Sequence, residues 1–309
     1  METLRVAVVM GGTSSERDVS LRSGANMARA LDRPGYLVTP VDFTGDPAAL
    51  LALRGTVDVV VLALHGPVGE DGRVQALLEL LGLPYTGSGV LASAAAMHKG
   101  VARALFRDAG IPVPPGLDLD LTVTTVDDAA ADVRAALGVP CVVKPANEGS
   151  TIGISIVRDD AGLLPALTLA ARYDTTLVVE RFIVGMEISV PVLGVPPTAL
   201  PEIEIVPKTG FYDYENKYTP GATEEICPAR LDDATRTLAA ELALHAHAVL
   251  GCRSVSRTDI IVADDGLYVL ETNTLPGMTD TSLLPLSART AGISFPALLD
   301  RLIADALAG

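Results

Sequence analysis

The 309-residue chain contains no tryptophan, and aromatic residues make up only 4% of it. A core with so few rings must be filled by aliphatic side chains, and Ala, Val and Leu are abundant. The three cysteines, at 141, 227 and 252, are too few and too widely spaced for a disulfide framework or a zinc site. This usage is typical of a reducing compartment, so we expect a cytoplasmic protein.

Basic residues are also scarce, with 23 Lys and Arg against 38 Asp and Glu and a net charge of -15. Such an acidic chain is a poor partner for nucleic acid or for an anionic membrane surface. A small anionic ligand is not excluded, because a local cluster of basic side chains outweighs the net field at short range. No run of about 18 apolar residues is present, so we expect no membrane-spanning segment. The first apolar stretch is too short for a signal peptide.

Short apolar runs alternate with an amphipathic stretch in the first third of the chain. Leu4–Met10, Tyr36–Phe43 and Val57–Leu64 have the character of strands, and Val19–Leu31 has the pattern of a helix. This alternation predicts a parallel sheet covered by helices.

A helical stretch is predicted from Gly89 to about Asp108. The Gly- and Pro-rich segment 110–115 that follows is a candidate boundary between domains. Beyond it, shorter strands mix with helices, and a long Ala- and Leu-rich helix at about Asp232–Leu250 precedes a hairpin. We therefore expect an α/β protein with α+β character in its later parts.

The segment Asp259–Asn273 predicts a hairpin that carries three hard oxygen ligands. Glu271 and Asn273 are two residues apart and share one face of the second strand. A three-residue loop with Gly266 as its left-handed residue places Asp259 opposite Glu271. Facing buried carboxylates repel unless a cation lies between them, and such ligands suit Mg²⁺, which commonly accompanies nucleotide phosphates. The alternative is a solvated hairpin tip with ordinary surface charges.

Three loops follow predicted strands and hold residues suited to ligands. Gly11–Arg17 offers backbone N–H groups to an anion and the Glu16 carboxylate to an ammonium group. His65–Gly72 places a histidine on the usual ligand side of an open sheet. Lys144–Gly153 combines a lysine with a small-residue loop able to fold over phosphates. The plainer interpretations are a serine-capped helix, an ordinary loop histidine and a hairpin turn beside a surface lysine.

Three further features lie in the last third. Lys208–Tyr218 is polar and aromatic and lies where an active-site lid would go, although an ordered surface loop has the same composition. Arg257 shares a strand face with Asp259 and would neutralise negative charge near phosphates. The segment 273–283 opens a helix whose N-terminus offers N–H groups to a carboxylate, with simple capping by Ser282 as the alternative.

These blocks occur in the order found in D-alanine–D-alanine ligases of the ATP-grasp superfamily, and the chain resembles that family over essentially its whole length. The blocks that carry the resemblance are Gly11–Glu16, His65–Gly72, Pro84–Gly89, Lys144–Ser150, Phe211–Tyr218, Arg257–Asp259 and Glu271–Met278. The resemblance implies a three-domain ATP-grasp fold. Its parts would be an N-terminal Rossmann-like, pre-ATP-grasp substrate domain over residues 1–96, a central subdomain over 97–186 and a C-terminal catalytic subdomain over 187–309.

The resemblance also implies the reaction. ATP would phosphorylate the carboxylate of one D-alanine, and the amine of a second would attack the acyl phosphate. Loss of phosphate from the tetrahedral intermediate would leave D-alanyl-D-alanine, a peptidoglycan precursor. The implied cofactors are ATP and two Mg²⁺ ions, with Mn²⁺ as a substitute, and the implied assembly is a homodimer formed through the N-terminal region.

Carried over residue by residue, the resemblance gives each candidate a role. Glu16 would hold the first ammonium group, and Ser150 and Tyr218 would bond with it and latch the lid. Arg257 and the Gly277 backbone would stabilise the oxyanion. The remaining candidates are His65 near the first substrate, Lys217, Ser282 and Leu283 at the second carboxylate, Lys99, Lys144, Glu180 and Glu187 at ATP, and Asp259, Glu271 and Asn273 as metal ligands.

The sequence departs from the family pattern at His98, where Asp is common, and at Thr272, where Ala or Val is usual. Tyr218 favours D-alanine as the second substrate, because relatives that use D-lactate tend to carry Phe there. Two other interpretations stay open. One is a paralogue that makes a different dipeptide or serves antibiotic self-resistance. The other is a nucleotide-binding regulatory protein without turnover, which the intact Glu16 and Arg257 argue against.

Overall fold

The computed structural model describes residues 3–149, 152–207 and 223–308. Ser150, Lys217 and Tyr218, together with the lid predicted at Lys208–Tyr218, lie outside these residues. Within the described ranges the strands form three sheets of three, four and six strands.

The first sheet is parallel, with the order β2-β1-β3, and this confirms the prediction from the alternating pattern. Its elements are β1 (Leu4–Gly11), α1 (Arg17–Leu31), β2 (Tyr36–Phe43), α2 (Ala48–Leu51), β3 (Val59–Leu62) and α3 (Arg73–Leu81). Successive residues of a strand point to opposite faces. Val6 and Val8 accordingly belong to one apolar core, and Ala7 and Val9 to another that also contains Leu78 of α3.

The second sheet is antiparallel, with the order β4-β7-β5-β6. Its strands are β4 (Gly116–Asp120), β5 (Cys141–Pro145), β6 (Ser155–Val157) and β7 (Thr176–Arg181). Two helices, α4 (Val90–Met97) and α5 (Lys99–Asp108), lead into it, and α6 (Val126–Ala136) and α7 (Leu163–Ala170) pack on one of its faces.

The helical stretch predicted from Gly89 to Asp108 is present but divided into two helices, because the backbone is extended at His98. The N–H of Lys99 donates to the Ala146 carbonyl at 2.9 Å, a contact outside any helix. The His98 ring then caps α5, with Nδ1 accepting from the Val101 N–H at 3.3 Å. The departure from the family pattern at His98 therefore lies at a helix N-cap.

The third sheet has the order β11-β10-β8-β12-β13, with β9 paired to β8. Its strands are β8 (Met186–Leu193), β9 (Thr198–Ala199), β10 (Ile203–Pro207), β11 (Thr223–Ile226), β12 (Val255–Ala263) and β13 (Gly266–Asn273). The helix α8 (Asp233–Val249) packs on its apolar face through Ala239, Ala243 and Ala246. The opposite face is left for the side chains of the candidate site.

The last helices, α9 (Leu283–Thr290) and α10 (Phe295–Ala308), return to the first sheet. Leu298 and Leu302 of α10 join the core around Val6 and Val8, and Asp300 accepts hydrogen bonds from Arg33 and Tyr36. The C-terminal helices thus complete the N-terminal core, and the predicted limits at 96/97 and 186/187 stay predictions. None of the helices in the described ranges has the length and apolar run that crossing a membrane requires.

Close contact between α1 and β1 depends on Gly24, and replacing it with Ala tests this packing. A Cβ there would overlap Met10 Cβ and lie 2.8 Å from Met10 Sδ. We expect the overpacking, which costs about 1–3 kcal/mol, to exceed the helix propensity gained, about 1 kcal/mol, so thermal unfolding should occur at a lower temperature. Ala25→Gly at the neighbouring exposed position measures propensity alone. An unchanged or raised melting temperature for Gly24→Ala would contradict the packing.

Candidate active site

The hairpin places Asp259 directly opposite Glu271, as predicted, but by a different route. The turn has two residues instead of three, and Ala263 pairs with Gly266. That turn alone would place Asp259 opposite Leu270. An irregularity between Asp259 and Ile260 leaves Leu270 unpaired and restores the predicted pair.

Asp259 is nearly buried, at 8% exposed, and basic and polar groups surround it. Arg257 donates to both carboxylate oxygens, from Nε at 3.0 Å and from Nη2 at 2.9 Å. Ser189 of the neighbouring strand donates to Oδ1 at 2.5 Å. The interpretation of the hairpin as a solvated tip is therefore wrong for Asp259. This bidentate contact fixes the orientation of the Arg257 guanidinium in the cleft.

Lys99 joins the hairpin to the loop after β5. Its Nζ donates to the Glu148 carbonyl at 2.6 Å and lies 3.8 Å from Glu271 Oε2. The side chain is 8% exposed, so this positive charge is held in a site with little water. A phosphate entering here would meet an ammonium group already in position.

Glu16 precedes the first residue of α1 and lies where two loops meet. A Cβ on Gly66 would approach Glu16 Oε2 to 3.2 Å, and one on Gly149 would approach it to 2.5 Å. A side chain at either glycine would therefore take up space that the Glu16 carboxylate occupies. No side chain caps α1 at Glu16 itself, but Ser14 Oγ accepts from the Glu16 N–H at 3.2 Å and donates to the His65 carbonyl at 2.7 Å. The serine-cap interpretation therefore holds for the turn before the helix and not for its first residue.

Polar side chains on the buried face of α1 hold the other loops in place. Ser23 Oγ lies 3.4 Å from His65 Nε2 and accepts from the Met278 N–H at 3.3 Å. Asn26 donates to the Met278 carbonyl at 2.9 Å. These bonds fix the turn that contains Gly277 against the loop that begins at His65. Polar residues recurring on the core-facing stripe of α1 were the sequence signal for these contacts, and sequence reasoning missed it.

Ser282 precedes α9 without capping it through its side chain. Its Oγ accepts from the Thr279 N–H at 3.0 Å, and a Cβ on Gly277 would lie 2.8 Å from it. The N–H groups of the first turn of α9 thus remain available at the edge of the cleft. The simple capping alternative is wrong.

Nine of the sixteen predicted site residues line one cleft between the three sheets: Glu16, His65, Lys99, Arg257, Glu271, Asn273, Gly277, Ser282 and Leu283. Asp259, Lys144, Glu180 and Glu187 are described but do not line it, and the other three lie outside the described residues. Lys144 Nζ instead contacts Glu180 Oε2 at 2.5 Å.

Acidic groups exceed basic ones around the cleft. Its lining includes Glu70, Glu148 and Glu225, to none of which sequence reasoning assigned a role. Glu70 Oε2 accepts from the Gly66 N–H at 2.5 Å and so shapes the loop His65–Gly72. Burial raises the pKa of Glu225, opposed by the charge of Arg257, and burial likewise raises the pKa of Glu148, opposed by Lys99. A cleft in which acidic side chains outnumber basic ones favours a bound cation.

The donor set of the hairpin fits Mg²⁺. Asp259 and Glu271 face each other across the strands, and Asn273 adds an amide oxygen that already accepts from the Leu275 N–H at 2.8 Å. These are hard oxygen ligands, and carboxylates in such a pair repel without a cation. Within the described ranges no group of three His, Cys, Asp or Glu side chains is placed to hold a metal ion.

Comparison with protein families places both ends of the chain in one group. A family model described as the D-ala D-ala ligase N-terminus matches residues 5–49 and 46–88, and one described as the D-ala D-ala ligase C-terminus matches 105–304. A curated D-alanine–D-alanine ligase of Syntrophobacter fumaroxidans is 50% identical over 309 residues, covering 99% of this chain and 98% of its own. One of Desulforudis audaxviator is 47% identical, with 97% of each chain covered.

Solved structures are similar over the same length. The D-alanine–D-alanine ligase of Bacillus anthracis complexed with ATP has 35% identity and a TM-score of 0.86, covering 100% of this chain and 98% of that one. The VanG D-Ala:D-Ser ligase of Enterococcus faecalis has 30% identity and a TM-score of 0.85, covering 99% and 100%.

Glu225→Gln tests the charge balance of the cleft without substrate. An acid whose pKa is raised on folding stabilises the fold below its ordinary value, about 4.5, and loses that contribution as pH rises through the folded value. Gln stays neutral, so the variant should gain stability relative to the native chain as pH rises above that value. Denaturant unfolding from pH 4 to pH 8, without metal or nucleotide, measures this. Glu224→Gln on the exposed face of β11 is the control, and equal profiles for both variants would contradict the expectation.

Proposed function

Because the chain belongs to the D-alanine–D-alanine ligase family, we propose that it joins two D-alanines into D-alanyl-D-alanine for peptidoglycan precursor synthesis, using ATP and a D-alanyl phosphate intermediate. The observation that carries the proposal is the convergence of Glu16, Lys99 and Arg257 with the hairpin carboxylate of Glu271 on one cleft. These groups suit an amino acid at one end of the cleft and phosphates at the other.

The first D-alanine is held through its ammonium group by Glu16, which is 7% exposed. A buried carboxylate binds an ammonium strongly because little water competes. By the family resemblance Ser150 and Tyr218 would bond with Glu16, and His65 would lie beside this substrate. The substrate carboxylate then points toward Arg257 and the nucleotide.

Phosphoryl transfer needs positioning and charge neutralisation more than covalent chemistry. Lys99 and Lys144 contact the phosphates of ATP, and Glu180 and Glu187 lie on the nucleotide side. Arg257, fixed by Asp259, neutralises charge that develops on the transferred group and on the tetrahedral oxyanion, with the Gly277 N–H as the second donor. The loop after Lys144 excludes water from the acyl phosphate.

Two Mg²⁺ ions, or Mn²⁺ in their place, would be held by Asp259, Glu271 and Asn273. When bound, the metal neutralises phosphate charge and orients the transferred group. The metal ligands all belong to one hairpin, and Arg257, which contacts Asp259, lies on the same hairpin. The positions of guanidinium and metal ligands are therefore set together by strand pairing.

The second D-alanine is held by its carboxylate, which meets Lys217, Ser282 and the Leu283 N–H at the start of α9. Its amine faces the acyl phosphate. D-serine is the alternative second substrate, since one solved relative is a D-Ala:D-Ser ligase. We further propose a cytoplasmic homodimer with domains over residues 1–96, 97–186 and 187–309.

Product identification tests the function. Purified protein with Mg²⁺ and ATP should release phosphate on addition of D-alanine, and mass spectrometry should find D-alanyl-D-alanine as the main product when D-alanine, D-serine and D-lactate compete. A dominant D-serine or D-lactate product would contradict the second-substrate assignment. Absence of phosphate release would favour a nucleotide-binding regulator.

Asp259→Asn tests the metal assignment. The variant loses one carboxylate ligand and the charge that fixes Arg257, so we expect the Mg²⁺ concentration for half-maximal activity to rise by about tenfold or more. Asp264→Asn, at the exposed turn of the same hairpin, should leave the Mg²⁺ dependence unchanged. An equal Mg²⁺ requirement in both variants would exclude Asp259 as a ligand.

A further inference from the structure

One face of the four-stranded sheet carries charged side chains beneath the cleft. Val178 of β7 pairs with both Asp118 and Lys144, and Glu180 lies two residues further along β7. Cross-strand partners and alternate residues share a face, so Asp118, Lys144 and Glu180 project to the same side. The other side holds the apolar core with α6 and α7.

Arg103 of α5 reaches this charged face and is the most deeply buried cation among the described residues, at 1% exposed. Its Nε lies 2.9 Å from Glu180 Oε1, its Nη1 donates to Asp118 Oδ1 at 3.3 Å, and its Nη2 donates to the Pro114 carbonyl at 3.1 Å. The other oxygen of Glu180 contacts Lys144 Nζ at 2.5 Å. Glu180, at 2% exposed, is thus shared between two cations.

The sheet is shaped to admit this guanidinium. Gly116 pairs with Glu180 across β4 and β7. A Cβ at Gly116 would overlap Arg103 Nη2 and lie 2.6 Å from the Val179 carbonyl. The missing side chain therefore opens the path by which Arg103 reaches Glu180.

We infer that Arg103 is a positioning residue that orients Lys144 toward ATP through Glu180. The inference rests on the proposed contact between Lys144 and the nucleotide. Arg103 touches no substrate in this scheme. Its contact with one oxygen of Glu180 fixes the orientation of that carboxylate. The other oxygen then holds the Lys144 ammonium in one position.

The physical reason is competition for the lysine. A lysine ammonium is a point charge on a flexible stem, and a fully charged buried carboxylate beside it competes with phosphate for that charge. With Arg103 present, Glu180 divides its charge between two partners, and Lys144 remains available to the nucleotide. Without Arg103, the whole attraction of Glu180 falls on Lys144, and the ammonium is drawn away from the phosphates.

Arg103→Met, which keeps volume but removes charge, tests the inference. We expect the KM for ATP and the dissociation constant of a non-hydrolysable ATP analogue to rise about tenfold, the size expected for one charged hydrogen bond. The kcat and the KM for D-alanine should change less than about threefold, because Lys144 binding is lost from ground and transition states alike. Arg103→Lys should recover part of the affinity, since one ammonium cannot replace the three contacts at once.

Arg134→Met is the matched control, because it breaks an exposed ion pair with Asp160 in the same part of the chain. A lower melting temperature in the Arg103 variants with unchanged affinity for ATP would overturn the inference. An equal rise in the KM for ATP and the KM for D-alanine would also overturn it. If Arg103→Met does not fold, Arg103→Lys decides: weaker analogue binding supports the inference and native binding refutes it. Analogue binding is measured without D-alanine, so this result is separate from failure of dipeptide synthesis.

Discussion

The carboxyl groups of Asp259 and Glu180 lie almost entirely out of water, and each is balanced by basic side chains that touch it. A buried charge without a partner is costly enough that the fold must supply one. The acids therefore determine where Arg257, Lys144 and Arg103 lie. The cations suited to meet phosphates are held in place by the protein itself, so ligand binding requires little rearrangement of charge.

The second constraint is that the cleft is assembled from all three sheets. Glu16 comes from the start of α1, Lys99 from the start of α5 and Glu271 from β13. The polar side chains of α1 connect these parts, because Ser23 and Asn26 bond with loops more than 40 residues away along the chain. Packing of the C-terminal helices against the first sheet brings Gly277 and Ser282 to the same cleft as Glu16.

Sequence alone predicted the parallel sheet, the hairpin and nine of the residues that line the cleft, because these depend on local periodicity and on short motifs. It did not predict the break at His98, which follows from a bond between Lys99 and the distant Ala146 carbonyl. Nor did it identify Arg103 or Glu225, since a single charged residue in a helix or short strand carries no local sign of its burial. The facing of Asp259 and Glu271 was predicted from a turn of the wrong length, and the unpaired Leu270 compensated.

The unpaired Leu270 sets the register between the hairpin turn and the ends of β12 and β13 that reach the cleft. A strand shifted by one residue turns every side chain to the other face. On the two-residue turn a regular ladder would pair Asp259 with Leu270 and turn Glu271 to the opposite face. The facing carboxylates therefore depend on where the ladder is irregular, and the turn at Asp264 and Asp265 by itself specifies a different pair.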